Sequence, residues 1–219
     1  MSISPLQLAV FASGSGSNLE AILLAIEAGS LPHVTVAAVI SNKKDARALK
    51  RAQSRNIPTA VLSPNDYARE SDYLEALEAI LNEHEINFIA LAGYLKKIPL
   101  PLVKKYAGRM LNIHPSLLPA FGGPGMYGSK IHTAAITRGV RWTGVTVHLV
   151  DEEYDTGPIL LQKTVPVHQS DTPETLAQRV LAVEHHIYPE ALRLFAEGRV
   201  TVENRKVFID PNIPKGISH

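Results

Sequence analysis

An asparagine and a histidine stand two positions apart at the end of a short apolar run, in the stretch "MLNIHPSLLP". Asn112 can donate a hydrogen bond to an oxygen that develops negative charge, and His114 can give or take a proton near neutral pH. Pro115 restricts His114 to an extended backbone, which helps to fix the ring. Asp155, in "YDTGP", offers a carboxylate that can orient or charge an imidazole. Together these residues favour general acid–base catalysis with stabilisation of an oxyanion.

Each of these residues also has a purely structural explanation. An asparagine or "DTGP" often forms a turn, and a histidine at a strand end is often a satisfied structural residue. His148, in "GVTVHLV", can equally face the same site or belong to the core. A serine nucleophile is disfavoured because no G-x-S-x-G motif is present. The adjacent His185 and His186 point about 100° apart on a helix, so we predict no metal site.

The stretch "SGSGSN" lies between an apolar run and a helical one and is typical of an anion-binding turn. Gly14 and Gly16 allow close approach to the main chain, and Ser17 with Glu20 matches the S-x-x-E capping box. A glycine turn without any ligand is the alternative. A dinucleotide site is disfavoured because Leu19 replaces the third glycine of G-x-G-x-x-G, so the expected ligand is a monophosphate.

Apolar runs rich in valine, isoleucine and leucine alternate along the chain with stretches of helical periodicity. The runs are "LQLAVFAS", "HVTVAAVIS", "INFIALAG", "GRMLNIH", "TGVTVHLVD" and "PILLQKTVPV". The helical stretches are "SNLEAILLAIEAG", "DARALKRAQSR", "YLEALEAILNEHE" and a long one that opens at Asp171 or Thr172 and runs to Gly198. This order predicts an α/β fold with a doubly wound, mostly parallel sheet flanked by helices. We expect a single domain over residues 1–219 with a hairpin tail at 200–219 that turns at Asn204 and Arg205.

The bulk composition narrows the class of protein. Lysine plus arginine (22) exceed aspartate plus glutamate (21) by one, so no net field recruits a nucleic acid. The absence of cysteine excludes disulfides, thiolate nucleophiles and cysteine-based zinc sites. No apolar run approaches the roughly 18 residues of a membrane span, and the N-terminus lacks a basic n-region. We therefore expect a cytoplasmic monomer or homodimer that binds small molecules and neither nucleic acid nor membrane.

The motifs "SGSGSNLEAI", "VISNK", "LAGYLKKI", "LNIHPSLLP" and "YDTGPILLQ" follow one another between about Leu6 and Gly198. On these motifs the sequence resembles the phosphoribosylglycinamide formyltransferases, small folate-dependent enzymes of purine synthesis. The resemblance implies a formyltransferase-like Rossmann variant that moves a formyl group from 10-formyltetrahydrofolate, the donor co-substrate, to the amine of phosphoribosylglycinamide, without a metal. It also implies a phosphate-binding half over about 1–98 and a folate-binding, catalytic half over about 99–199.

The same resemblance implies roles for individual residues. Asn112 and protonated His114 would stabilise the oxyanion of a tetrahedral intermediate, while Asp155 would support the charged histidine and help to pass a proton from the amine to N10 of the folate. The implied nucleotide-binding residues are Gly16, Ser17, Asn18, Leu19, Glu20 and Glu184. The implied folate-binding residues are Arg69, Leu95, Lys96, Lys97, Ile98 and Asn112, with the pteridine near the loop 150–155.

Two stretches depart from the family pattern. Leu95-Lys96 replaces the usual Met-Arg, so a bidentate guanidinium contact is lost while main-chain contacts persist. The stretch "FGGPGMYGSK" at 121–130 belongs to a loop several residues longer than in compact members. Its glycines suit either a lid over the folate or an ordinary surface insertion.

Three other functions share some of these features. A transferase that formylates methionyl-tRNA would carry a basic nucleic-acid-binding domain after the long helix. A 10-formyltetrahydrofolate hydrolase would carry a regulatory domain before the first strand. The sequence disfavours both on these grounds. A non-catalytic module that binds sugar phosphate or folate would not need the Asn–His–Asp trio.

Overall fold

The computed structural model describes residues 5–211, in which strands alternate with helices. The strands are β1 (Leu6–Phe11), β2 (Val34–Ser41), β3 (Thr59–Val61), β4 (Phe88–Leu91), β5 (Met110–His114), β6 (Trp142–Leu149), β7 (Ile159–Pro166), β8 (Val200–Glu203) and β9 (Lys206–Ile209). The helices are α1 (Ser17–Glu27), α2 (Arg47–Gln53), α3 (Glu70–Glu83), α4 (Leu100–Lys105), α5 (Ser129–Thr137) and α6 (Pro173–Ala196), and a single 3-10 turn covers Pro64–Asp66.

Seven strands form one sheet in the order β3-β2-β1-β4-β5-β6-β7. Strands β1 to β5 run parallel, whereas β6 is antiparallel to both of its neighbours. The predicted mostly parallel sheet is therefore confirmed. The strand order reverses between β1 and β4, and in open α/β sheets this point leaves a crevice beyond the carboxyl ends of the strands.

Helices cover both faces of the sheet, as the continuous apolar strands require. In β1 the side chains of Leu8 and Val10 enter one core, together with residues of α1, α2, α5 and α6. The side chains of Ala9 and Phe11 enter a second core with residues of α3 and α4. Strand β1 therefore has no solvent-facing side, which explains why its sequence shows no polar alternation.

The register of β6 brings the loop that follows it to the crevice, although the strand is antiparallel. A carboxyl end of an antiparallel strand normally lies at the opposite edge of the sheet. Here Leu149, the last residue of β6, pairs with Leu111 of β5, while the next residue of β5, Asn112, pairs with Leu91 at the end of β4. The loop after Leu149 therefore begins at the level where β1 and β4 end.

Helix α6 has Thr172 as its N-cap, one of the two openings that the sequence predicts. The hydroxyl of Thr172 accepts a hydrogen bond from the N–H of Thr175 at 3.3 Å, and Thr175 reciprocates at 3.0 Å, with Pro173 in the first turn. The buried Tyr188 hydroxyl contacts the carbonyl oxygens of Leu91 at 2.9 Å and Leu111 at 3.2 Å. This hydroxyl ties α6 to the two strands beside the crevice.

The predicted hairpin is present at the end of the described chain. Strands β8 and β9 pair around Asn204 and Arg205, whose φ values of 48° and 66° provide the left-handed turn. Arg205 donates to the carboxylate of Asp151 at 3.2 Å and to the carbonyl of Thr156, so the turn contacts the loop after β6. Of the predicted domain over 1–219 and its tail over 200–219, residues 1–4 and 212–219 lie outside the described residues.

Several elements were not predicted from the sequence. Strand β3 has three residues and α4 has six, and both are too short to show a clear hydrophobic period. Helix α5 follows a glycine-rich loop. Across residues 5–211, no helix combines the length and the apolar character needed to cross a membrane.

Replacing Tyr188 with phenylalanine should lower the free energy of unfolding by about 1 kcal/mol, because the fully buried hydroxyl loses its contacts with two carbonyl groups. Urea unfolding followed by circular dichroism measures this change. The matched control is Tyr127→Phe, since the Tyr127 side chain is exposed and its hydroxyl leaves the free energy unchanged. Equal stabilities of the two variants would contradict the anchoring role of Tyr188.

Candidate active site

A cavity of about 720 Å³ lies at the crevice between β1, β4 and β5. Its wall is formed by the turn after β1, residues 91–98 after β4, the end of β5, the glycine-rich loop 123–128, the loop 150–155 and one side of α6. The candidate residues of the sequence therefore converge here from segments far apart in the chain. Both the glycine turn and the Asn–His–Asp trio line this one cavity.

Asn112 projects from β5 with its amide held by a neighbouring histidine. The Nδ1 atom of His148 lies 2.8 Å from the carbonyl oxygen of Leu149, so this nitrogen carries the proton and donates it. The other ring nitrogen, Nε2, is then an acceptor for the Asn112 Nδ2 group at 3.1 Å. The Asn112 amide also lies 3.5 Å from Oδ1 of Asp155. His148 thus faces the site and fixes which way the amide points.

His114 is buried, and both of its ring nitrogens have neighbours. Nε2 lies 2.9 Å from the carbonyl oxygen of Phe121, so Nε2 must be the donor. Nδ1 faces Oδ1 of Asp155 at 3.6 Å. Burial lowers the pKa of His114 below its usual value, and the adjacent Asp155 carboxylate only partly offsets this effect. The resting imidazole is therefore neutral at neutral pH, with an unprotonated nitrogen facing a carboxylate.

Asp155 has a left-handed backbone, with φ 57°, that turns its side chain toward the glycine-rich loop. Its Oδ2 accepts the N–H of Gly123 at 2.8 Å. Burial alone would raise the pKa of this carboxyl, but the interactions with His148 and His114 in their protonated forms, together with the Gly123 N–H, outweigh burial and hold the pKa below its usual value. The carboxylate is thus ionised, and the gap between it and Nδ1 of His114 can take up one proton from a reacting group.

The turn after β1 presents free main-chain amides to the cavity. Gly16 adopts φ 69° and is the N-cap of α1, and no side chain caps the helix. Within residues 5–211, no acceptor is bonded to the N–H groups of Ser17, Asn18 and Leu19. The predicted capping box is therefore wrong. The Glu20 carboxylate does not reach back to the helix start because it is paired with Arg51 and Arg55.

Glu184 of α6 meets this turn on the wall of the same cavity. Oε2 of Glu184 accepts a hydrogen bond from Nδ2 of Asn18 at 2.8 Å. The Oδ1 atom of Asn18 is buried and has no partner among the described residues. Burial raises the pKa of Glu184 to about 7, an effect that the Asn18 amide only partly opposes. A ligand with hydroxyl or amine donors can satisfy both the Asn18 oxygen and this carboxylate.

The predicted site residues divide into those on the cavity wall and those elsewhere. The wall contains Gly16, Ser17, Asn18, Leu95, Lys96, Lys97, Ile98, Asn112, His114, Asp155 and Glu184. The side chain of Leu19 is fully buried in the core, and that of Glu20 is held by two arginines. Arg69 also lies outside the wall, because its exposed guanidinium is paired with Asp72 of α3 at 2.6 Å.

His132 is a wall residue that was not predicted from the sequence. It lies on α5, is 5% exposed, and its Nδ1 has no partner within residues 5–211. Burial lowers its pKa, and the nearby His114 lowers it further. Helical spacing in "SKIHTAAIT" was the signal that could have placed this histidine on the inner face of a helix. Within residues 5–211, no cluster of three or more histidine or carboxylate side chains could hold a metal ion.

Replacing Glu184 with glutamine should make stability less dependent on pH. In the folded protein the pKa of Glu184 rises from 4.5 to about 7, so the folded state binds more protons than the unfolded state in this window, and stability falls as pH rises through it. Between about pH 5 and about pH 8, the unmodified protein should lose on the order of 2 kcal/mol more free energy of unfolding than the variant. Urea unfolding at several pH values measures the difference, and parallel curves would contradict the raised pKa.

Known proteins resemble this chain over nearly all of the described fold. The formyl transferase family model matches residues 6–192. The chloroplastic phosphoribosylglycinamide formyltransferase of Arabidopsis thaliana is 46% identical over 196 residues, which is 89% of this chain. The chain spans 66% of the length of that relative, just under two thirds.

Solved structures also share the fold. Glycinamide ribonucleotide transformylase 1 from Symbiobacterium toebii is 43% identical, with a TM-score of 0.87 and 93% of each chain covered. A formyltetrahydrofolate deformylase from Pseudomonas syringae pv. tomato is 28% identical, with a TM-score of 0.84 over 94% of this chain and 66% of its own. With its sheet, its crevice and the family model in agreement, the chain belongs to the formyl transferase family.

Proposed function

We propose that this chain transfers the formyl group of 10-formyltetrahydrofolate to the amine of 5′-phosphoribosylglycinamide, a step of purine (IMP) biosynthesis. The observation that carries the proposal is that one cavity contains both a set of free helix-start amides and the Asn–His–Asp trio. An anion-binding turn and an acid–base centre on the wall of one cavity suit a phosphorylated substrate whose amine reacts. The names of the relatives support the same activity.

The phosphate of the nucleotide would bind the N–H groups of Ser17, Asn18 and Leu19, where the helix dipole also favours negative charge. Leu19 would contribute only its main chain, because its side chain is in the core. Glu184 and the unpartnered oxygen of Asn18 would accept hydrogen bonds from ribose hydroxyls or the amine. Binding of the unreactive phosphate would then hold the amine near the trio.

The folate would lie along the segment Leu95 to Ile98, with its pteridine near the loop 150–155. Main-chain groups of this segment are the expected contacts, since Leu95 and Lys96 cannot provide a bidentate guanidinium. Lys97 lies 5.8 Å from the ring centroid of Tyr154, so the segment and the loop meet across the cavity. Arg69 is left out of this assignment because it is directed to Asp72. A lid function for the loop 121–130 stays a prediction.

The chemistry would proceed by direct attack. As the amine nitrogen bonds to the formyl carbon, its proton would pass, through water, to the gap between Nδ1 of His114 and Asp155. The charged His114 and the Asn112 amide would then stabilise the oxyanion of the tetrahedral intermediate. The oxyanion would re-form a carbonyl as the bond to N10 breaks, and N10 would receive the stored proton. The donor folate enters as a co-substrate, and no metal or covalent enzyme intermediate is required.

Four features of the sequence analysis remain predictions within this proposal. They are the division into a phosphate-binding half over about 1–98 and a catalytic half over about 99–199, the cytoplasmic location, the monomeric or homodimeric state, and the absence of nucleic acid and membrane partners.

Hydrolysis of 10-formyltetrahydrofolate is the second candidate function, because a deformylase shares the fold. Purified protein should deformylate the folate, followed by absorbance, only when phosphoribosylglycinamide is present, and mass spectrometry should detect the formylated nucleotide. Deformylation with release of formate in the absence of the nucleotide would identify a hydrolase instead. No reaction in either case would indicate a binding module.

Replacing His114 or Asp155 with alanine should lower kcat by a factor of about 100 to 10,000, because each variant removes the site that stores the proton. The Kd for the nucleotide, measured by calorimetry, should change less than about threefold, since neither residue belongs to the turn that would bind the phosphate. The matched control is His186→Ala, an exposed histidine on α6 that should leave kcat unchanged. A small loss of kcat in both variants would refute the assigned roles.

A further inference from the structure

Helix α2 supports the glycine turn from behind. The N–H of Ala48 donates to the carbonyl oxygen of Gly14 at 3.2 Å. Gly16 packs directly on the same residue, since a Cβ atom at Gly16 would lie 2.6 Å from Cα of Ala48. The shape of the turn, and hence the direction of its amides, therefore depends on where α2 lies.

Arg51, near the end of α2, binds the turn and the first turns of α1 with one guanidinium. Its Nε donates to the carbonyl oxygen of Ser15 at 2.9 Å, and its Nη1 donates to Oε2 of Glu20 at 2.8 Å. These two partners lie on either side of Gly16, the N-cap of α1. A planar fork with two fixed donors thus sets the separation between the turn and the helix.

The carboxylate of Glu20 is neutralised by two arginines, Arg51 and Arg55. Glu20 is an acidic residue near the helix end whose free amides would bind a phosphate, and a bare carboxylate there repels an anion. Arg55 donates to its Oε1 at 2.8 Å, opposite Arg51, and pairs with Glu27 at 2.6 Å. Although burial works to raise the pKa of Glu20, the two arginines hold it below its usual value. Two positive and two negative side chains therefore form a neutral network.

We propose that Arg51 is a positioning residue for phosphate binding. Arg51 fixes the Ser15 carbonyl, so that the amides of the turn stay directed into the cavity, and it neutralises Glu20 beside them. This proposal rests on the proposed function in taking the phosphate of a ribonucleotide as the ligand of the turn. Arg51 contacts loop and helix rather than the reacting atoms. Its removal therefore affects binding of the phosphate and not the chemical step.

The variants Arg51→Ala and Arg55→Ala form a matched pair, because both arginines contact Glu20 and only Arg51 contacts Ser15. In Arg51→Ala the KM for phosphoribosylglycinamide should rise about 10- to 100-fold, the range expected for a lost charge-assisted hydrogen bond, with kcat within about threefold. Arg55→Ala should raise KM much less. The loss in Arg51→Ala should grow at low salt, because Glu20 is then unscreened.

The double variant Arg51→Ala, Glu20→Gln separates the two parts of the role. Removing the charge of Glu20 should recover the salt-dependent part of the loss, while the part due to Ser15 remains.

If Arg51→Ala is folded and its KM stays within about twofold of the unmodified protein, the proposal is overturned. If Arg51→Ala does not fold, the Arg51→Lys variant tests the proposal instead, because lysine keeps the charge but lacks the two-donor fork. An unchanged KM of Arg51→Lys for phosphoribosylglycinamide would overturn the proposal.

Calorimetry with ribose 5-phosphate tests Arg51 independently of formyl transfer. Weaker binding of ribose 5-phosphate by Arg51→Ala than by Arg55→Ala supports the positioning role. This holds even if the unmodified protein transfers no formyl group, because that second result refutes only the proposed function. Equal binding by both variants, with formyl transfer intact in the unmodified protein, refutes the positioning role alone. A merely structural role would lower Tm in both variants and leave affinity in the folded protein unchanged.

Discussion

The carboxylate of Asp155, whose side chain is only 10% exposed, is the group on which the geometry of the site depends. Removing a carboxylate from water is costly unless it is hydrogen-bonded or paired, so its surroundings must supply partners. It accepts the N–H of Gly123 at 2.8 Å and lies 3.5 Å from the amide of Asn112, 3.6 Å from His114 and 3.7 Å from His148. The two donors among these neighbours are the Gly123 N–H of the glycine-rich loop and the Asn112 amide of β5, while the imidazoles face the carboxylate with nitrogens that can take up a proton. Satisfying one charge thus brings three segments of the chain together.

The glycine-rich loop contributes to this arrangement through its main chain. The Phe121 carbonyl fixes which nitrogen of His114 carries a proton, and two residues later the Gly123 N–H binds Asp155. Between them, a Cβ at Gly122 would collide with the Leu118 side chain and lie 3.3 Å from Cβ of Asp155. The loop therefore does more than line the cavity, because its backbone sets the protonation pattern of the pair. A side chain at position 122 would therefore force the Leu118 side chain to move.

Those parts of the fold that depend on local pattern could be predicted from the sequence. The apolar runs of β1, β2 and β5, the period of α1 and the Thr172-Pro173 opening of α6 all follow from interactions within one segment. The antiparallel direction of β6 could not be predicted, because it depends on pairing with β5, and neither could the three-residue β3. The capping box failed for a similar reason, since Glu20 has stronger partners in α2.

The site shows the same division. The Asn112 and His114 motif is one continuous stretch of sequence, and the glycine turn is another. The expected sheet brings the two stretches to one crevice. Which way the Asn112 amide points, and which His114 nitrogen is protonated, depend on His148 and Phe121, which no local pattern connects to them. The pairing of the Arg69 side chain with Asp72 of α3 is likewise a contact that the resemblance did not indicate.

The cavity is continuous from the amides of the glycine turn to the Asn–His–Asp trio, and this continuity has a thermodynamic consequence. If two ligands occupy this one cavity together, each displaces water from walls that the other also uses, so the free energy of each binding step depends on whether the other ligand is bound. Such coupling is reciprocal: whatever factor the first ligand contributes to the affinity of the second, the second contributes to the first. Either order of arrival therefore reaches the same ternary complex with the same total free energy.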